Sequence, residues 1–186
     1  MLSDKLKEET KTNHQILEKA LVGQLKAVRT TQEYANLLKL FYGYFGGLET
    51  RINEVIDTNL LPDSTERRKT QAIADDIKAL GGEAPATAMG DDLPTINIHL
   101  AALGALYVIE GSTLGGKIIS KMMQQQLGLD TGLSFFAGYG DKTEQMWDTF
   151  KQALNRQAEN PEQEAVVIAA ANQTFLKFGE WFNKNH

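Results

Sequence analysis

Apolar side chains recur every three or four residues along almost the whole of this chain, and no stretch keeps the strict alternation of a strand. That pattern leaves one fold class, an all-α bundle, here in seven helical segments. The first covers about Ser3 to Val22 and puts Leu6, Thr10, His14, Leu17 and Leu21 on one face. "TTQE" supplies a capping box of Thr30 with Glu33 and opens a helix to about Asp57. That helix turns Tyr34, Leu37, Leu38, Phe41, Phe45, Leu48 and Ile52 inward. Asp63 and Glu66 repeat the box spacing after Pro62 and start a third helix, which Gly81 and Gly82 end with a left-handed cap. Residues 81–93 read as loop, and Thr95 to Leu127 as a long helical region interrupted only by glycines. An irregular stretch, "GLDTGLSFFAGYGDK", follows. A helix from about Lys142 to Glu159 runs through Met146, Trp147, Phe150 and Leu154. Asn160 as cap and Pro161 in the first turn open the last helix, which carries Val166, Val167, Phe175, Phe178 and Trp181.

The chain has 186 residues and neither an internal repeat nor a low-complexity segment, so a single domain over 1–186 is expected. A net charge of −5 without a long basic run argues against nucleic acid as a partner. The longest apolar stretch, Leu100 to Ile109, is too short to span a bilayer. "MLSDKLKEETK" lacks the apolar core of a signal peptide, so a cytoplasmic location with no membrane partner is expected. The absence of cysteine excludes disulfides, thiolate nucleophiles and thiolate metal sites together.

Only three histidines are available for metal chemistry: His14, His99 and His186. Di-iron bundles need Glu-x-x-His pairs, but Lys11 precedes His14 and Ile96 precedes His99 at that spacing. Haem needs a single axial imidazole, which keeps His14 open as a ligand and equally as a satisfied core residue. The second feature is "EGSTLGGKIIS", where Gly111, Gly115 and Gly116 interrupt an apolar helix at a cost of roughly 1 kcal/mol each. Such glycines bend a helix or let its backbone approach a flat ligand, and they serve close helix packing equally well. Spacing does not decide between these.

Two stretches carry a resemblance. "LKEETKTNHQILE" resembles the N-terminal helix of the biliverdin-producing haem oxygenases of bacterial type, where the histidine is the proximal ligand. "LYVIEGSTLGGKIISKMM" resembles their distal helix, and "FFAGYG" before a tryptophan helix fits the segment that follows. The resemblance implies a helical bundle of that family's type with a kinked distal helix. It implies oxidative cleavage of haem to biliverdin, CO and ferrous iron, with haem as both substrate and cofactor. O2 and electrons from an external reductase or ferredoxin would be consumed. His14 would be the axial ligand. Gly111 and Gly115 would bring the distal backbone onto the haem face and O2, with Gly116 beside them. Lys7 and Lys11 match lysines near the propionates, or else are solvated helix charges, and Thr10 would be a pocket wall.

The pattern departs from the family twice. Ser112 stands where many members place the aspartate that holds a distal water network. The resemblance therefore implies catalysis in which Ser112 or nearby backbone holds the proton-delivering water. The helix after the aromatic loop offers Glu144 and Asp148, with Lys151 near, where mammalian-type enzymes place basic residues for the propionates. A non-catalytic haem- or tetrapyrrole-binding or sensing protein on the same fold is the alternative. Thiamin-degrading relatives of this architecture rely on a cysteine, which this chain lacks.

Overall fold

In the computed structural model, which describes residues 1–186, the chain folds into α1 (Leu2–Glu9), α2 (Lys11–Ala27), α3 (Thr31–Val55), α4 (Gln71–Ala79), α5 (His99–Leu127), α6 (Ser134–Ala137), α7 (Thr143–Leu154) and α8 (Pro161–Asn185). No strand forms. The sequence signals that fix helix starts work as expected at two places. Thr30 accepts from the Glu33 amide while the Glu33 side chain accepts from the Thr30 amide, and Asn160 accepts from the Gln163 amide ahead of Pro161. Gly81, at φ +81°, closes α4 with a bond from the Gly82 amide to the Ile77 carbonyl.

Four expectations shift. The first segment is two helices, α1 ending at Glu9 and α2 starting at Lys11, with the hydroxyl of Thr10 between them donating to the Leu6 carbonyl at 2.7 Å. The Asp63–Glu66 box does not form. The Asp63 carboxylate is taken by Arg67 through two 2.7 Å bonds, and α4 starts only at Gln71. Residues 134–137, expected irregular, form α6 because Asp76 accepts from the Ser134 and Phe135 amides at 3.0 and 2.8 Å. Finally, α5 keeps its helical assignment through Gly111, Gly115 and Gly116, since the ladder needs no side chains.

The long helices α5 and α8 cross at the centre, where Gly104 lets their backbones meet: a Cβ there would lie 2.3 Å from the Val167 carbonyl oxygen. Phe41, Tyr44, Phe45, Phe135, Phe136 and Phe178 interleave beside them, with Tyr44 stacked on Phe178 at 4.7 Å. One apolar cluster runs from Leu2 to Phe182, so both ends of the chain share a core. On its rim, α1 and α2 lie against α8, tied by Lys5 to Glu164 and by Asn13 to Asn172 at 2.6 Å. This frame leaves one side of α2 and one side of α5 uncovered.

Candidate functional site

His14 stands one turn after Thr10 on α2 and is exposed. Its ring meets the Phe175 ring of α8 edge-on at 5.5 Å and makes no hydrogen bond within the chain. A ligand can therefore take the imidazole without breaking a native contact. Lys7 and Lys11 precede it by about two turns and one, exposed and free of ion pairs, whereas nearby Lys5 is held by Glu164. No group of three or more His, Asp or Glu gathers anywhere that could hold a metal ion.

The three glycines of α5 separate into two kinds. A Cβ on Gly116 would fall 2.2 Å from the Phe136 carbonyl oxygen, so glycine is required there for α6 to dock. Packing accounts for Gly116 completely. A Cβ on Gly111 would only touch the Trp147 ring at 3.7 Å, and one on Gly115 would meet nothing within 4 Å. Their neighbours on the same side, Leu114 and Ile118, are 45% and 68% exposed. Uncovered leucine and isoleucine beside glycines that no neighbour requires describe an apolar shelf two turns long.

Ser112 does not lie idle on that shelf. Its hydroxyl donates to the Ile109 carbonyl at 2.6 Å and accepts from Arg68 Nη2 at 2.7 Å. Arg68 also donates to the Ile109 and Phe135 carbonyls, and its guanidinium lies 3.9 Å over the Phe135 ring. Burial pushes the Arg68 pKa down to about 10, against the opposing pull of Glu110 and Tyr139, so it stays charged at neutral pH. Glu110, the only acid adjacent to Ser112, is 2% exposed and faces the other way. It accepts from Arg67 at 2.6 Å and from the Tyr139 hydroxyl at 2.9 Å. Sequence reasoning passed over Arg68 because "STERRK" reads as a solvated charge run.

At its Gly111 end the shelf is walled. Trp147 of α7 stacks on Phe150 at 5.8 Å and meets Tyr107 of α5 at 5.4 Å. Burial raises the Tyr107 phenol above its ordinary range. His14 lies one turn after Thr10 on α2, and Gly111 lies one turn after Tyr107 on α5. Two cavities lie elsewhere. One of about 540 Å³ is bounded by α2, α3 and the end of α8, and one of about 60 Å³ lies behind α5 beside Arg67 and Arg68. Neither includes His14 or a glycine of the shelf.

The family model described as heme oxygenase matches residues 1–184. The "Heme oxygenase" of Xanthomonas campestris pv. campestris is 30% identical over 146 residues, 78% of this chain and 86% of that protein. The "Heme oxygenase PigA" of Pseudomonas aeruginosa is 28% identical over 92% of this chain and 86% of its own length. The heme oxygenase of Neisseria meningitidis, solved with NO and CO bound, superposes with a TM-score of 0.84 at 23% identity, covering 100% of this chain and 92% of that one.

Proposed function

The chain belongs to the haem oxygenase family, and we propose that it holds its substrate between His14 and the Gly111–Gly115 shelf. Membership makes it an oxidoreductase that cleaves haem to biliverdin, CO and ferrous iron, and the sensing alternative is not favoured by relatives that are all named as oxygenases. The observation that carries the site assignment is the pair of unrequired glycines. The chain carries two residues that weaken a helix by roughly 1 kcal/mol each, although no neighbouring atom needs the space. A flat apolar ligand lying against the backbone gives that space a use.

Haem supplies the oxygen chemistry through its iron, and the chain's residues supply position and protons. The free His14 imidazole would hold the iron. Leu114 and Ile118 bury apolar ring surface, and Lys7 and Lys11 bring unpaired cations toward the carboxylates. At Ser112 the hydroxyl proton is committed to the Ile109 carbonyl and one lone pair to Arg68. The remaining lone pair can accept from a water, so Ser112 orients that water instead of protonating through it. The adjacent guanidinium makes such a water a better donor. We place the electron source in an external reductase or ferredoxin and the reaction in the cytoplasm, on the strength of the resemblance; no helix is long and apolar enough to cross a membrane.

The test is a hemin titration followed by reductant and O2. Wild-type protein should give a sharpened Soret band and then the absorption of biliverdin. His14→Ala should lose the Soret signature of imidazole ligation, and His99→Ala should keep it. Equal loss in both variants would move the ligand away from His14.

A further inference from the structure

The walled end of the shelf bears on which part of the ring is oxidised. Gly111 faces Cη2 and Cζ3 of Trp147, so what a ligand meets there is the carbon edge of the indole. Behind that edge, Phe150 is fully buried and stacks at 22° to the indole, so the wall is backed by core and cannot retreat. Tyr107 closes the corner beside it, its ring 5.4 Å from the indole. The opposite end of the shelf has no such stop: nothing lies within 4 Å of a Gly115 Cβ, and Ile118 beyond it is open to solvent.

A flat ligand therefore enters past Ile118 and Gly115 and halts at Trp147. Haem is not the same on all its edges, since two neighbouring side groups are carboxylates and the others are methyl and vinyl. A carboxylate pressed on carbon loses its hydration without gaining a donor. The cations at the wall are already engaged: Lys151 pairs with Asp148 at 2.8 Å and lies 5.8 Å over the Trp147 ring, and Arg67, over the Phe150 ring, is held by Asp63 and Glu110. The exposed Glu144 adds unpaired negative charge to the same helix, which repels propionates further.

We propose that Trp147, buttressed by Phe150 and Tyr107, is a specificity-determining residue: it stops an apolar edge of haem, turns the propionates elsewhere, and so selects the carbon bridge that is oxidised. The proposal rests on the reading that haem lies over the Gly111–Gly115 shelf. A wall that sets rotation acts on the distribution of biliverdin isomers, a quantity that stability alone does not move.

The experiment loads wild-type protein, Trp147→Leu, Trp147→Phe and the remote control Trp181→Phe with hemin, supplies reductant and O2, and separates the biliverdin isomers by chromatography. In Trp147→Leu the wild-type minor isomers should rise roughly tenfold relative to the major one, the size that several missing apolar atoms give in a pocket. Trp147→Phe should move the ratio in the same direction by less, and Trp181→Phe should leave it alone. If Trp147→Leu does not fold, Trp147→Phe decides. Hemin-loaded variants that turn over with the wild-type isomer ratio overturn the proposal while leaving the shelf reading intact. A wild-type protein with no Soret response removes both.

Discussion

Two faces of α5 use glycine for opposite ends. On the face toward α6 and α8, a Cβ at Gly116 or Gly104 would lie 2.2 or 2.3 Å from a carbonyl oxygen, and the helices could not close. On the other face, Gly111 and Gly115 have ordinary or no contact, and the neighbouring Leu114 and Ile118 are exposed. Glycine on the first face serves stability, because the core is assembled through it. On the second face glycine weakens the helix and nothing within the chain recovers the loss. Residue type does not separate the two cases; what stands opposite does.

The contrast is sharpest for activity. His14→Ala, on the open side, should remove nearly all biliverdin formation while leaving the thermal midpoint close to wild type, because the ring is exposed and unbonded. A large fall in midpoint would mean that His14 is structural. On the closed face, Gly104→Ala and Gly116→Ala should each cost about 1–3 kcal/mol through overpacking, lowering the midpoint by roughly 3–10 °C. Circular dichroism melts would show it, and unchanged melts would erase the distinction.

Gly115→Ala should do the reverse and raise the midpoint by roughly 2–4 °C, since helix propensity improves by about 1 kcal/mol with no clash. Gly115→Leu should keep normal helical dichroism yet exclude hemin or O2; a Gly115→Leu protein that cannot fold would assign this glycine to packing as well. A smaller effect is expected at the boundary between the faces. Ser112→Ala should slow turnover several-fold in stopped-flow traces at unchanged hemin affinity, because Arg68 keeps its two carbonyl acceptors.

The smallest effect concerns the closed side alone. Burial raises the Tyr34 and Tyr44 phenols above their ordinary range and pushes Tyr139 up to about 12. An unfolded tyrosine ionises near 10, so these groups add stability that is whole below about pH 10 and drains away as pH rises toward 12. Denaturant midpoints measured from pH 9 to 11.5 should fall, and less steeply in Tyr139→Phe. A flat profile in wild type would contradict the burial.

Local signals made most of the frame legible. Thr30 with Glu33, Asn160 with Pro161, and Gly81 each act within four residues of themselves, so spacing alone exposes them. The features that escaped are settled at a distance. Asp76 caps α6 from 58 residues away, and Arg67 takes the Asp63 carboxylate that would have capped a helix because Glu110, 43 residues on, holds its other end. The same holds at the site. His14 and the glycine run are visible as motifs, but separating Gly116 from Gly115 requires knowing that the Phe136 carbonyl stands opposite one and nothing opposite the other. Arg68 carries no sequence mark, since an arginine in a charged run looks like solvent, and Trp147 marks its helix in the sequence without showing that its ring stands against Gly111.

The docking of α1 and α2 on α8 also has a consequence during protein synthesis. Lys5 awaits Glu164, Asn13 awaits Asn172, and the His14 ring awaits Phe175, partners about 160 positions later on the message. When these N-terminal helices leave the ribosome, the surface that seats them has not been translated. The residue proposed to hold the iron is thus among the first made and among the last to be placed, and a nascent chain has no assembled cradle with which to seize its reactive substrate before α8 arrives.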